Sequence, residues 1–402
     1  MRRVIMDDQG NIRLPAQICD RYGLGEGDEL LVEDTEAGLA LHPLRADVRK
    51  LYLEVTTRCN LHCRTCVRNV WGADAPGAQP LEDMPPATFD RIVAQVKDLP
   101  QLREVVFGGY GEPFVHPRIL DYLAQVKRMG LKVTVSTNGT LLDEKRAEAL
   151  VGLGVDVVTV SLDGAEPDTY AGVRAGADLR AVLDSLHTLN EIKRRRGTAS
   201  PHLGIEFVAL KRNAAELAKL PDLARRLGAN RIIVTHVLPH TPEMAAEALY
   251  SRDETPPFPI STGWAVHSGD WLLWGTMELP RMNWGAERRC RFIASNALVV
   301  GWDGEVSPCY ALSHSYPYYI FGRRKEVSRY TMGNVNQASL AEIWNSDDYV
   351  GFRAEVRRFH FPSCVDCDLR DTCDITEANE GCWGWCPSCA DCLWAQGIVR
   401  CP

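Results

Sequence analysis

The stretch LYLEVTTRCNLHCRTC, residues 51–66, joins an apolar, β-branched run to three closely spaced cysteines. An apolar run without regular polar alternation is typical of a strand that is buried on both faces of a parallel sheet. Five comparable runs alternate with helical stretches further along the chain, at residues 103–107, 131–135, 155–160, 204–210 and 231–237. Six such units predict an α/β fold, a partial (β/α)6 TIM-type barrel, whose chemistry lies in the loops that follow the strands.

The three cysteines of this stretch are Cys59, Cys63 and Cys66, in the pattern C-x3-C-x2-C directly after the first strand. Three thiolates at this spacing can hold three corners of a [4Fe–4S] cubane and leave the fourth iron open, which is the mark of a catalytic metal site. A zinc ion is the alternative, but it would require a fourth ligand. The pattern therefore predicts a catalytic iron–sulfur cluster at the mouth of the barrel.

This loop resembles that of the radical S-adenosylmethionine (SAM) superfamily, and the likeness continues after the next strands. In GGYGEP, residues 108–113, the resemblance implies a contact to the SAM amino group, either from Gly108 and Gly109 or from Gly111 and Glu112. The later strand ends STNG and SLDG supply polar groups for the ribose and the carboxylate of SAM, namely Ser136, Asn138, Ser161 and Asp163. Many family members have an aromatic residue before the third cysteine where this chain has Thr65. Adenine stacking is therefore expected from apolar residues of the fifth or sixth strand.

Ten of the fourteen cysteines lie between Cys290 and Cys401. Their spacing resembles the SPASM domain, which binds auxiliary [4Fe–4S] clusters. The ligands implied by this resemblance are Cys290, Cys309 and Cys382 for a first auxiliary cluster, and Cys364, Cys367, Cys373 and one of Cys389 or Cys392 for a second. Structural zinc is the alternative here as well, because C-x2-C pairs also form zinc knuckles.

Residues 1–45 predict a small β unit, with a hairpin turn at Gly10, a short helix and two further strands. The pattern resembles the SpoVT/AbrB-like swapped-hairpin family, whose members often bind DNA. Here, however, the segment has five Arg and no Lys against nine Asp and Glu, a net charge of −4. Because phosphate repels an acidic surface, we expect a homodimer or a docked partner protein rather than DNA.

Composition narrows the class of protein further. A net charge of −8 argues against a general nucleic-acid binder. The first ten residues lack the apolar core of an export signal, and no segment approaches the length of a membrane span. We therefore expect a cytoplasmic protein with cysteines that bind metal. The predicted domains are residues 1–46 (AbrB-like), 47–245 (barrel), 246–289 (connection) and 290–402 (SPASM).

The order of these features resembles the radical SAM maturases of tungsten-cofactor oxidoreductases, the cofactor-modifying proteins. That resemblance implies reductive cleavage of SAM to a 5′-deoxyadenosyl radical, with an electron from a donor such as ferredoxin or flavodoxin. It also implies a tungsten oxidoreductase, or its pterin-type cofactor, as the substrate. Two alternatives remain: a SPASM enzyme that modifies a peptide, and an AbrB-like DNA-binding regulator with an iron–sulfur sensor. His236, His240 and Tyr310 are further candidates at the barrel mouth.

Overall fold

The computed structural model describes residues 4, 6–22, 24–25, 30–35, 38–43, 47–71, 81–252, 276–283, 285–359, 363–365, 367–373, 377–378 and 386–400. The six predicted strands of the barrel and most of the predicted ligand residues fall within these ranges. Cys382 and Cys401 lie outside the described residues.

The N-terminal segment has the predicted order of elements. Met6 and Ile12 form an antiparallel bridge around a turn in which Gly10 has a φ of 82°. Helix α1 (Ala16–Tyr22) follows, and strands β1 (Leu30–Thr35) and β2 (Gly38–Pro43) pair in antiparallel register. The predicted turn, helix and two strands are therefore confirmed.

Six consecutive strands form the centre of the molecule. They are β3 (Lys50–Leu53), β4 (Glu104–Phe107), β5 (Lys132–Thr137), β6 (Val157–Ser161), β7 (His202–Ala209) and β8 (Ala229–His236). Each pairs in parallel with the next, in chain order. The prediction of six successive parallel strands is confirmed, and their carboxyl ends therefore meet at one edge of the sheet.

Helices connect these strands and cover the sheet. They are α2 (Pro86–Gln95), α3 (Ile119–Arg128), α4 (Glu144–Gly152), α5 (Pro167–Val173), α6 (Leu179–Arg196) and α7 (Leu220–Arg226), and α8 (Pro242–Ala246) follows the last strand. Helix α6 begins where the Asp178 carboxylate accepts the Arg180 N–H at 2.8 Å, and ends at Gly197, which has a φ of 63°. Its apolar residues recur every three or four positions and are buried, so this face packs on the sheet.

The chain beyond residue 275 extends the same sheet at both edges. Strand β9 (Thr276–Glu278) pairs in parallel with β8, and β10 (Ala297–Val300) pairs in parallel with β3. Strands β11 (Glu305–Ser307), β12 (Tyr316–Ile320), β13 (Arg323–Val327) and β14 (Gly333–Asn334) follow. The resulting order is β14-β11-β10-β3-β4-β5-β6-β7-β8-β9, while β12 and β13 form a separate antiparallel hairpin.

Two short helices, α9 (Arg291–Ala294) and α10 (Leu340–Trp344), and the longer α11 (Asp347–Arg358) lie in the C-terminal region. The main core lies between the sheet and its helices, where the rings of Phe89 and Tyr122 stack with centroids 3.7 Å apart. Within the part of the chain that the structure describes, no helix has the length and apolar character needed to cross a membrane.

Candidate active site

The three predicted cluster cysteines lie beside one cavity at the carboxyl ends of the strands. Cys59, Cys63 and Cys66 all line this cavity, which has a volume of about 240 Å³. A turn closed by the Cys66 N–H, which donates to the Cys63 carbonyl at 3.1 Å, forms the end of the loop. The strand-end position predicted for the loop is therefore confirmed.

Hydrogen-bond donors contact the sulfur atoms of this loop. Cys59 Sγ accepts the Leu61 backbone N–H at 3.5 Å and the Asn138 side-chain amide at 3.7 Å. Cys63 Sγ accepts from Arg174 Nη1 at 3.9 Å. Donors of this kind favour the thiolate, which is the form that binds iron.

The three thiols form a donor set of the kind that binds iron–sulfur clusters. Burial raises the pKa of Cys63 to about 11 and also raises the pKa of Cys66, so that metal must displace their protons.

The glycines of the GGYGEP loop permit a close approach of backbones. Gly109 has a φ of 131°, and a Cβ there would lie 2.5 Å from Glu54 Oε1. A Cβ on Gly111 would lie 2.0 Å from the backbone oxygen of Thr56, so no larger residue fits. Both glycines line the cavity, whereas Gly108 packs on Ser136 at the next strand end.

Glu112 fixes this loop to the end of β5. Its buried carboxylate accepts the Thr137 hydroxyl at 2.8 Å, the Asn138 N–H at 2.7 Å and the Phe114 N–H at 3.1 Å. Burial raises the pKa of Glu112. Oε2 has one donor among these three, so it can accept a further hydrogen bond from a cation in the cavity.

The remaining predicted SAM contacts divide into two groups. Ser136, Asn138 and Ser161 line the cavity. Asp163 is fully buried behind it, where it pairs with Arg174 Nε at 2.8 Å and accepts the Val208 N–H at 2.7 Å. Asp163 therefore holds Arg174 in position.

Sequence reasoning missed that arginine. Arg174 follows α5, lines the cavity and is only 8% exposed. With Asp163 on its Nε and the Cys63 sulfur near Nη1, the guanidinium lies between the cluster loop and the wall of the cavity. A single arginine after a helix carries no motif of its own, so only the fold could identify it.

A buried acid–base pair below the glycine loop was also missed. Glu54, directly after β3, accepts the Tyr110 N–H at 2.7 Å, and its Oε2 lies 2.5 Å from His314 Nε2. Both side chains are almost fully buried, and the Trp71 ring lies 4.3 Å from the imidazole. The pair connects the cluster strand to the C-terminal part of the chain across 260 sequence positions.

The second wall of the cavity is formed by β7, β8 and the C-terminal segment. Glu206, His236, Trp394 and Arg400 line it. Burial raises the pKa of Glu206 to about 7 and lowers the pKa of His236 to about 4, which keeps this imidazole neutral. The apolar residues Val208 and Leu238, on or just after the fifth and sixth strands of the predicted barrel, also line the cavity.

Tyr310 and His240, the other two candidates at the barrel mouth, lie in different environments. Tyr310 lines the cavity, packed edge-on against Tyr52 with ring centroids 5.1 Å apart. His240 is buried with its Nδ1 3.3 Å from the Leu238 carbonyl oxygen, and it does not line the cavity.

The described auxiliary cysteines are buried or half-buried, apart from Cys386, which is exposed. Cys290 and Cys309 pack against the apolar cluster around Phe292, and Cys290 and Cys389 pack against a second apolar cluster that includes Cys364. Cys364 is buried nearby, and its N–H donates to the Ala390 carbonyl at 3.3 Å. Cys367 and Cys373 are half-buried on either side of a short 3-10 turn.

Comparison with known proteins agrees with this geometry. The signature of the Radical SAM superfamily matches residues 53–208, and that of the SPASM iron–sulfur cluster-binding domain matches residues 290–368. Among solved structures, Streptococcus suis SuiB has a TM-score of 0.57 at 17% identity, covering 82% of this chain and 73% of SuiB. A second, anSMEcpe, has a TM-score of 0.56 at 16% identity, covering 87% and 90% of the two chains. The fold and the site define a radical SAM enzyme with a SPASM domain.

One relative matches nearly the whole chain. The tungsten-containing aldehyde ferredoxin oxidoreductase cofactor-modifying protein of Pyrococcus furiosus is 39% identical over 360 residues, 88% of this chain and 97% of that protein. The chain belongs to the family of that protein. Its cofactors are accordingly [4Fe–4S] clusters and S-adenosylmethionine.

A further relative is similar over half of the chain. The PqqA peptide cyclase of Gluconobacter oxydans is 29% identical over 192 residues, 46% of this chain and 48% of the cyclase.

Proposed function

We propose that this enzyme matures a tungsten-containing oxidoreductase by a radical reaction on its pterin-type cofactor or on the enzyme itself. The observation that carries the proposal is the 39% identity to the Pyrococcus protein, because it spans both the barrel and the cysteine-rich region. The peptide cyclase matches only about half of either chain, which gives the peptide-modifying alternative weaker support.

The chain's own residues are suited to hold SAM in one orientation. Cys59, Cys63 and Cys66 would bind three irons of the cluster. The Glu112 carboxylate would accept the SAM ammonium, and the Arg174 guanidinium would pair with its carboxylate. Two charged contacts of opposite sign fix which end of the amino acid faces which wall of the cavity.

Weaker contacts would position the rest of SAM. Ser136 and Ser161 offer hydroxyls for the ribose, and Val208 and Leu238 offer an apolar surface for the adenine. When bound, the reduced cluster and SAM supply a 5′-deoxyadenosyl radical that abstracts a hydrogen atom from the substrate. The walls of the cavity would hold the substrate beside the bound SAM.

The second wall supports a flat, anionic substrate. Trp394 offers an aromatic surface for a heterocycle, and Arg400 offers a cation for a phosphate or carboxylate arm. Arg400 is steadied by Glu278, whose Oε2 lies 3.6 Å from Nη1. A pterin-type cofactor matches this pairing of surfaces.

The electron donor and the quaternary structure can be proposed as well. We propose a cytoplasmic enzyme that takes electrons from a ferredoxin or flavodoxin. The N-terminal segment would form an AbrB-like homodimer, since it exposes large apolar side chains, with Met6, Val32 and Leu39 each more than half exposed. Sedimentation analysis tests this: Leu39→Asp should yield monomers, whereas a monomeric wild-type protein would contradict the dimer.

The test of the function is anaerobic turnover. Reconstituted protein with dithionite and SAM should release 5′-deoxyadenosine, and Cys63→Ala should abolish that release. With deuterium-labelled tungsten oxidoreductase or its extracted cofactor, the label should appear in 5′-deoxyadenosine. A label from a short peptide encoded beside the gene would favour the peptide-modifying alternative, and tight DNA binding without nucleoside release would favour a regulator.

A further inference from the structure

Arg68, on the wall of the main cavity, is a cation without a partner. It lies two residues after Cys66, the third cysteine of the cluster loop, and its side chain is half-buried. Its Nε is buried, and its guanidinium makes no hydrogen bond or ion pair within the part of the chain that the structure describes. Because a partly buried cation is costly without an acceptor, Arg68 indicates an anion that is supplied by a bound molecule.

Arg400, on the same cavity wall, is only weakly compensated. Its N–H donates to Thr235 Oγ1 at 2.8 Å, which fixes it beside the end of β8, and its side chain is 11% exposed. Its guanidinium lies 3.6 Å from Glu278, but that carboxylate is shared. Glu278 accepts from Arg231 Nη2 at 2.9 Å and lies 3.5 Å from Arg291 Nη1. Three cations therefore share one negative charge.

The two arginines come from the same region of the cavity wall. Val67 and Val399, the residues that precede them, belong to one buried apolar cluster. Leu238 is part of this cluster and also lines the cavity. The Trp394 ring packs against the cluster and lines the cavity as well. An aromatic surface and two cations are thus contributed by neighbouring parts of the wall.

The acidic groups of the cavity are engaged elsewhere. Among the described residues that line it, Glu112 and Glu206 are the acids, and neither forms an ion pair with Arg68 or Arg400. Glu112 is held by donors from its own loop and from the end of β5. Burial raises the pKa of Glu206 to about 7, and the charge of Arg174 opposes that rise. The two arginines are therefore left for a ligand.

A phosphate group suits this pair of cations better than a carboxylate. A phosphate monoester carries a charge of about −1.5 to −2 near pH 7 and has three free oxygens. Guanidinium groups bind such oxygens through two parallel N–H···O bonds. One phosphate can therefore satisfy two arginines, whereas a carboxylate brings a single charge.

We propose that Arg68 and Arg400 bind the phosphate of a planar heterocyclic substrate whose ring lies against Trp394. This inference rests on the proposed function for placing the substrate in the cavity, and it narrows that substrate to a phosphorylated heterocycle. The cluster loop then has two tasks, since it holds the cluster through its cysteines and the substrate through Arg68.

The test is equilibrium binding of two pterins that differ by one phosphate. Reconstituted holoenzyme with SAM, kept anaerobic and without reductant so that no turnover occurs, is titrated with neopterin and with neopterin 3′-monophosphate. We expect the phosphate ester to bind roughly thirtyfold more tightly than neopterin. Arg68→Met and Arg400→Met should each reduce this ratio to about threefold or less.

The ratio of the two affinities separates phosphate binding from damage. A residue with a merely structural role would weaken both pterins alike and leave the ratio unchanged. Arg64→Met is the matched control, because it removes an exposed cation from the same loop and should keep the full ratio. Arg68→Lys should keep part of it, since lysine retains the charge but loses the bidentate geometry.

Inorganic pyrophosphate distinguishes a failure of this inference from a failure of the proposed function. If neither pterin binds, but pyrophosphate binds the wild type and not Arg68→Met or Arg400→Met, the phosphate site stands and the pterin-type substrate falls. Equal affinities of the wild type for both pterins would overturn the inference. So would a full ratio in Arg68→Met or Arg400→Met, or the binding of none of the three compounds. If Arg68→Met loses its iron, Arg400→Met and Arg68→Lys decide.

Discussion

At the scale of single residues, the site depends on charges that the fold brings together. Asp163 forms a buried ion pair with Arg174, and Arg174 in turn donates to the sulfur of Cys63. This chain of contacts passes from one strand end to the cluster loop. It predicts that SAM binding is sensitive to a residue that no motif marks.

Arg174→Met should therefore weaken SAM binding. Loss of one charge-assisted contact is worth about 2 kcal/mol, or roughly thirtyfold in the dissociation constant. Equilibrium binding of SAM to the reconstituted protein measures this, with the exposed Arg180 replaced by Met as the control. Equal affinities in the two variants would remove Arg174 from the site.

Glu206 predicts a dependence of stability on pH. Because burial raises its pKa to about 7, the folded state favours the protonated acid. Its contribution is therefore intact below the ordinary pKa of a glutamate and is lost as the pH rises through 7. Glu206→Gln should melt a few degrees above wild type at pH 8 and no differently near pH 4. An equal offset at both pH values would contradict this.

At the scale of elements, the glycine loop and the cluster loop share one backbone interface. The Gly111 contact with Thr56 leaves no room for a methyl group, since the clash involves main-chain atoms. The two loops are therefore in direct backbone contact.

Gly111→Ala should separate them. Overpacking of this kind costs about 1–3 kcal/mol and displaces the cluster loop, so we expect lower iron content and lower thermal stability. Gly152→Ala, at the end of α4 with nothing within 4 Å of the added Cβ, is the matched control and should lower neither. Full iron loading in Gly111→Ala would show that the loops are independent.

At the scale of the whole molecule, the sequence predicted what depends on local pattern. The six parallel strands follow from their apolar runs, and the cluster loop follows from the spacing of Cys59, Cys63 and Cys66. Contacts between distant residues were beyond it, because nothing in the neighbourhood of His314 points to Glu54. For the same reason, the contact of Arg174 with Asp163 could not be predicted.

The iron content of the protein and the hydrogen exchange of its amides both depend on how many clusters are bound. Three clusters would give roughly twelve irons in the reconstituted protein, and the triple cysteine variant of the cluster loop should hold about eight. Removal of iron should expose amides of residues 386–400 to hydrogen exchange before those of β3–β8, since that segment has little regular structure. Uniform exchange over both regions would contradict this order.

The pairing of β10 with β3 makes a strand from the C-terminal third of the chain a neighbour of the strand that precedes the cysteine loop. A fragment that ended after β8 would leave unpaired backbone amides and carbonyls on the edge of β3. Such an exposed edge promotes aggregation with other chains. The barrel and the C-terminal region therefore share one sheet. A gene fusion or a domain transplant must include both β3 and β10.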